Sequence, residues 1–119
     1  MNDVSILVLV DEIDMCAHLA KIATINSYNL IFYKSLEELN VNSNHCDLFI
    51  IDLNNYSEQD FREIAGSEVL DKIKMLGYCS KPNSQIIKKF NSLGFDLIIK
   101  RGELLKNLNT IIIKMLNNR

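Results

Sequence analysis

Two short apolar runs, each cut off by a carboxylate, restrict what this chain can fold into. One is Leu7-Val8-Leu9-Val10, followed by Asp11-Glu12; the other is Leu48-Phe49-Ile50-Ile51, bracketed by Asp47 and Asp52. A run without polar alternation reads as a strand buried on both faces, as in a parallel sheet covered by helices. In an open sheet of that kind, ligands are met just beyond the carboxyl ends of the strands. If the two runs are neighbours, Asp11, Glu12 and Asp52 converge at that edge. Three carboxylates there repel one another unless a cation sits among them. The pattern therefore points to a pocket for a divalent metal with one carboxylate left free to react.

The rest of the chain alternates in step with this reading. Val4 to Val10 is a first strand, and Ile13 to Ser27 follows with Ile13, Cys16, Ala17, Ala20, Ala23 and Thr24 at helical spacing. Leu30 to Tyr33 is a short second strand. Ser35 and Glu38 form a capping box for a short helix that ends near Asn42, and a loop runs to His45. Leu48 to Leu53 is the third strand, Asn54 and Asn55 turn the chain, and Ser57 caps a helix to about Leu70 with Phe61, Ile64, Ala65 and Val69 on one face. Ile73 to Tyr78 is the fourth strand. Pro82 suits the first turn of a helix carrying Ile86, Ile87, Phe90 and Leu93, with Gly94 as its stop. Phe95 to Ile99 is the fifth strand, and Leu104 to Leu116 a last helix with Leu105, Leu108, Ile112 and Met115 inward. Five βα units predict an α/β three-layer sandwich with a parallel sheet of flavodoxin-like order 2-1-3-4-5. That order sets the first and third strands side by side.

Length and composition bound the possibilities. The 119 residues suit one domain spanning 1–119, long enough to bury a real core. No apolar stretch approaches the roughly 20 residues that span a bilayer, and Met1-Asn2-Asp3-Val4 lacks the basic region of a signal peptide. The expectation is a cytoplasmic protein with no membrane partner. Cys16, Cys46 and Cys79 are odd in number and lack CxxC spacing, which argues against a disulfide framework or a zinc site. Charge is split along the chain: residues 1–71 carry −10 and residues 72–119 carry +8. In a compact domain this predicts two differently charged faces. Lys81, Lys88, Lys89, Lys100, Arg101, Lys106 and Lys114 make up most of the basic one. No aromatic residues are interleaved as stacking platforms, which disfavours nucleic acid as its partner.

Candidate chemistry rests on the acidic edge. Magnesium takes one or two carboxylates together with water and phosphate oxygens, and a carboxylate can itself become an aspartyl phosphate. The competing reading is that each acid merely ends a strand and caps the next helix at its positive end. One such acid would fit that reading; two acid-terminated buried runs in a five-strand alternation favour chemistry. No GxxxxGK[ST] or GxGxxG motif supports a nucleotide loop. His18 and His45 lack matching partners in the sequence, so solvation or packing accounts for them. Ile13 stands where an Asp-x-Asp dehalogenase-type nucleophile segment needs its second Asp.

Over residues 4–117 the chain resembles the receiver domains of two-component response regulators. Asp11-Glu12 matches the acidic pair that ends the first strand in that family, and Asp52 matches the phospho-accepting Asp that ends the third. The resemblance implies a signalling module rather than an enzyme: a magnesium-dependent phosphoprotein of a phosphorelay, fed by a histidine kinase or a phosphotransfer protein. It implies magnesium held by Asp11, Glu12 and Asp52, with Ser80 and Arg101 at the phosphoryl group. Its output would pass to a downstream protein, or to a second copy in a homodimer, through the last two helices and the fifth strand.

The chain also departs from the family pattern. Seven residues beyond Gly94, where the family has Lys, stands Arg101; Lys100 precedes it on the opposite face of the strand, and Gly102 replaces the usual Pro. The hydroxyl position at the end of the fourth strand falls on Cys79 or Ser80. Ile98 stands at the aromatic switch position, and Leu53-Asn54-Asn55 replaces the Met-Pro that follows the acceptor. These changes define the alternative, a pseudo-receiver that keeps the fold as an interaction module without phosphorylation. A third reading, a small flavodoxin-like cofactor binder, predicts a coloured protein.

Overall fold

A strand that is apolar on both sides has to be covered twice, and the sheet is. The structure, a computed structural model, describes residues 4–34, 46–55, 58–62 and 73–117. Within them run β1 (Ser5–Leu9), α1 (Ile13–Asn26), β2 (Asn29–Phe32), β3 (Leu48–Asp52), a 3-10 turn (Leu53–Asn55), α2 (Glu58–Arg62), β4 (Lys74–Cys79), α3 (Ser84–Asn91), β5 (Leu97–Lys100) and α4 (Arg101–Asn117). The five strands form one sheet of order β2-β1-β3-β4-β5 with every pairing parallel. This is the flavodoxin-like order expected from the alternation, and it places β3 between β1 and β4.

Alternation along each strand divides the core in two. Ile6, Val8, Leu48, Ile50, Leu76 and Tyr78 point to the face covered by α1 and α4, where Met15, Leu19, Leu104, Leu108 and Ile112 meet them. Leu7, Leu9, Phe49, Ile51, Met75 and Cys79 point to the other face, covered by Phe61 of α2 and Phe90 of α3. There Phe61, Phe90 and Phe95 meet edge to face, with ring centroids 5.2–5.6 Å apart. Each such pair adds about 0.5–1.5 kcal/mol beyond the area it buries. Two carboxylates hold the opposite, amino-terminal ends of the strands. Asp47 Oδ2 accepts the Ser5 N–H at 3.0 Å, and Asp96 Oδ2 accepts the Met75 N–H at 2.8 Å.

Several element boundaries and faces differ from the sequence expectation. Helix α1 buries Met15, Leu19 and Ala23, and Ile13 is 83% exposed. The larger side chains of the Met15-Leu19 stripe bury more apolar area than the alanine stripe, so they set the rotation. Pro82 lies just ahead of helix α3 rather than in its first turn. Asn83 is the N-cap, its side chain accepting the Ile86 N–H at 2.9 Å. Helix α4 begins three residues earlier than expected, at Arg101, and buries Leu104 where Leu105 was expected to lead. Strand β5 starts at Leu97, because Phe95 belongs to the aromatic cluster and Asp96 to the staple on Met75. Gly94 does close the α3 connection, at φ +106, a backbone that favours glycine. The segment expected to hold the capping-box helix from Ser35, His45, and the positions Ile64, Ala65, Val69 and Leu70 lie outside the described residues.

Candidate functional site

The carboxyl ends of β1, β3, β4 and β5 build one polar edge. Asp52 is the last residue of β3 and is 6% exposed, the buried charged residue at that edge. By alternation it shares the α1/α4 face with Leu48 and Ile50, and its Cα is paired with that of Tyr78 in β4. One oxygen, Oδ1, accepts the Asn54 N–H at 2.9 Å, so the 3-10 turn after the strand folds back on it. Burial pushes the Asp52 carboxyl above the usual range; the Asn54 amide opposes this, and the charges of Glu12 and Asp11 add to it. Those two carboxylates therefore lie within electrostatic reach of Asp52, as the neighbouring of β1 and β3 requires.

Glu12 occupies the N-cap of α1, yet its side chain makes no capping hydrogen bond. The strand-end capping reading of this acid is thus set aside. The side chain turns across the sheet edge instead. Arg101, the first residue of α4, donates its Nε–H to Glu12 Oε1 and forms an ion pair with the same oxygen through Nη2. Tyr78 donates its hydroxyl to Glu12 Oε2 at 3.4 Å. The Arg101 guanidinium holds the Glu12 carboxyl below the ordinary carboxylate range against the opposing effect of burial, with Tyr78 adding to the lowering. Tyr78 has no exposed surface, and burial, reinforced by the Asp52 and Glu12 charges, pushes its phenol far up, so it remains a donor. Arg101 in turn is held more firmly protonated by Glu12. Asp11 is exposed beside this network.

Ser80 and Cys79 divide the remaining position. Cys79 is buried in the core on the α2/α3 side, opposite to Asp52, and burial raises its thiol. Ser80 is exposed, one residue past the strand, and its N–H reaches Asn54 Oδ1 at 3.5 Å. Lys100 is exposed, and its strand position places it on the face of Ile98, away from Arg101. Arg101 belongs to the polar edge rather than to the free basic surface. His18 is an exposed residue of α1. Among the described residues, the cysteines Cys16, Cys46 and Cys79 form no disulfide. Among the described residues no three His, Cys, Asp or Glu side chains are gathered so as to hold a metal ion by themselves, and no helix is long and apolar enough to cross a membrane.

Tyr78 and Asn54 are contributors that the sequence reading left as a strand end and a turn. The signal for Tyr78 was available: a phenol in an aliphatic strand that faces the core needs a hydrogen-bond partner nearby. Elsewhere, between α3 and β5, a groove of about 490 Å³ is lined by Lys81, Ile87, Ile98, Lys100 and Glu103 among others. This is part of the face expected to dock a partner.

No family model matches the chain, and no curated protein matches it in sequence. Solved structures do. A response regulator from Thermotoga maritima superposes with a TM-score of 0.80 at 15% identity, covering 98% of this chain and 99% of that one. HP1043, an orphan response regulator of H. pylori, superposes with a TM-score of 0.76 at 18% identity, over 95% and 96% of the two chains. The phosphorylated cyanobacterial phytochrome response regulator RcpA superposes with a TM-score of 0.74 at 16% identity, over 93% and 89%. With its 2-1-3-4-5 parallel sheet and near-complete overlap with these structures, the chain has the fold of a response regulator receiver domain.

Proposed function

We propose that this protein is a receiver-type signalling module that accepts a phosphoryl group at Asp52, with output through protein–protein contact. The observation that carries the reading is Asp52 itself. It is a carboxylate at the carboxyl end of the central strand, buried by the fold, anchored through one oxygen, and flanked by Glu12 and Asp11. A carboxylate held in this way is a nucleophile without needing a base. Attack by its oxygen on a phosphohistidine would form the P–O bond of an acyl phosphate as the P–N bond breaks, and the imidazole leaves with a proton from solvent.

The donor set suits magnesium. That ion needs only one or two carboxylates, its other positions being filled by water and phosphate oxygens. Asp11 and Asp52 supply two, and Glu12 stands beside them, so Asp11, Glu12 and Asp52 are the residues that would hold it. Bound there, magnesium would neutralise charge on the acceptor and on the incoming phosphoryl group. Ser80 lies at the same edge and offers a hydroxyl, while Arg101 offers a guanidinium. The donor would be a histidine kinase or a phosphotransfer protein. The downstream partner would dock on α3, β5 and α4, where apolar Ile87 and Ile98 sit among Lys81 and Lys100.

A second reading, a pseudo-receiver that acts by binding alone, is favoured by the pairing of Glu12 with Arg101, which supplies a cation from within the chain. Intact mass after incubation with acetyl phosphate and magnesium separates the two. One phosphoryl group gained by the wild type and none by Asp52→Ala supports the acceptor. No gain by either folded protein supports the pseudo-receiver.

A further inference from the structure

The sheet order gives the Glu12 contacts a consequence for Asp52. Glu12 follows β1, Tyr78 lies in β4, and Arg101 follows β5; β3, with Asp52 at its tip, runs between β1 and β4. Glu12 at the start of α1 and Arg101 at the start of α4 belong to the two helices that cover one face of the sheet, and Tyr78 points to that face from its place beside Asp52. The Glu12–Tyr78–Arg101 bridge therefore lies beside Asp52, whose carboxyl feels the Glu12 charge. Both oxygens of Glu12 are engaged in it, Oε1 by the guanidinium and Oε2 by the phenol.

We infer that Arg101 is a tethered counter-ion that competes with a divalent cation for Glu12, so that a metal at Asp11 and Asp52 gains Glu12 as a further ligand only as Arg101 lets go. The inference rests on the proposed metal-assisted acceptor reading and adds its control. Three features support it. A guanidinium is permanently charged and matches a carboxylate geometrically, so it is a stronger competitor than an ammonium would be. It is attached to the chain, so its effective concentration at Glu12 exceeds that of a dissolved ion. And Tyr78, fixed in the core, orients Glu12 toward Arg101. Two cations at one carboxylate repel each other strongly in a partly desolvated edge. Arg101 is thus a positioning residue: it acts through Glu12 and sets the metal concentration at which Asp52 is armed. Because Arg101 opens α4, its release is also felt at the helix expected to carry output.

The test is magnesium binding by the whole chain, measured by isothermal titration calorimetry on the wild type, Arg101→Gln and Arg101→Lys. Arg101→Gln should bind magnesium at least about tenfold more tightly, because one competing positive charge has gone. Arg101→Lys, with a charge but no fork, should fall between. In parallel, the Arg101 Nε–H resonance of the wild type should shift and exchange faster with water as magnesium is added. Equal or weaker binding by Arg101→Gln overturns the inference, as does an Nε–H signal unmoved at saturation or no binding by either protein. None of these readouts depends on phosphoryl transfer. Tighter binding by Arg101→Gln with no phosphoryl uptake by any variant would remove the acceptor reading and leave the competition standing; phosphoryl uptake with unchanged affinity would do the reverse.

Discussion

Tyr78 is the residue paired with Asp52 across the β3–β4 ladder, and its hydroxyl donates to Glu12. One buried phenol beside Asp52 thus ties β4 to the acid at the start of α1. The pair also sets the local electrostatics. Asp52 is a buried carboxyl whose charge is disfavoured, and Glu12 is a carboxyl whose charge is favoured. Their contributions to stability run in opposite directions with pH.

For Asp52 the folded pKa lies above the unfolded value, mainly through burial. Such a group destabilises the fold as pH rises through that interval, because ionisation is harder in the folded state than in the unfolded one. Asp52→Asn keeps an acceptor for the Asn54 N–H and removes the charge. The variant should melt about 3–5 °C higher than the wild type at pH 7, and the gain should vanish near pH 3. Thermal melts across that range check it. An unchanged or lower Tm at pH 7 would show that the Asp52 charge is not a net burden.

Glu12 behaves in the opposite sense. Its folded pKa is depressed by Arg101, so it adds stability that is present above its unfolded pKa of about 4.3 and lost as pH falls through the lower folded value. Acidification from pH 6 to pH 3 should therefore cost the wild type more stability than it costs Glu12→Gln. Carboxyl-carbon NMR titration gives the same quantity directly: the Glu12 midpoint should rise toward the ordinary range in Arg101→Gln. A midpoint that stays put would mean that Arg101 does not hold Glu12 in solution.

Gly77 makes the third prediction. A Cβ there would stand 2.7 Å from Leu53 Cδ1, 2.9 Å from Leu53 Cγ and 3.1 Å from a ring carbon of Phe95. Leu53 is the residue after Asp52, so a shift of Leu53 that relieves the clash is passed to the turn that anchors Asp52. Gly77→Ala should cost about 1–3 kcal/mol by denaturant unfolding. It should also weaken the Asn54 N–H bond to Asp52, seen as faster hydrogen exchange at Asn54. A neutral substitution would mean that Leu53 repacks without disturbing its neighbours.

How far the sequence speaks depends on which physical signal each feature leaves. The strand order was legible, because runs such as Leu48-Phe49-Ile50-Ile51 are buried on both sides only in a helix-covered parallel sheet, and right-handed crossovers leave few orders. The edge position of Asp11, Glu12 and Asp52 followed from the same argument. The face of α1 was not legible from spacing alone, since an alanine stripe and a Met15-Leu19 stripe share the same period and only packing volume chooses between them. Arg101 was placed at the site by the receiver-family spacing from Gly94, yet its partner was out of reach of any local pattern: Glu12 lies 89 residues away, and two strands, β3 and β4, stand between β1 and β5. Tyr78 was missed because a strand pattern counts it as apolar, whereas its hydroxyl is what matters at the edge.

The hydroxyl position, left open between Cys79 and Ser80 by the sequence, gives the last prediction. Alternation sends Cys79 into the α2/α3 core, and Ser80 stands exposed at the edge with its N–H toward Asn54. If Asp52 accepts a phosphoryl group, the hydroxyl that meets it should be that of Ser80. Ser80→Ala should change stability by less than about 0.5 kcal/mol, as expected for an exposed side chain. It should also slow phosphoryl uptake from acetyl phosphate at least about tenfold, the low end of losing one polar contact to developing charge. Cys79→Ala should show the converse, losing about 1 kcal/mol of stability for a small buried group with little effect on uptake. Unfolding curves and time-resolved intact mass on the two variants decide the matter. Slowing confined to Cys79→Ala would assign the position to the thiol and require the end of β4 to twist toward Asp52.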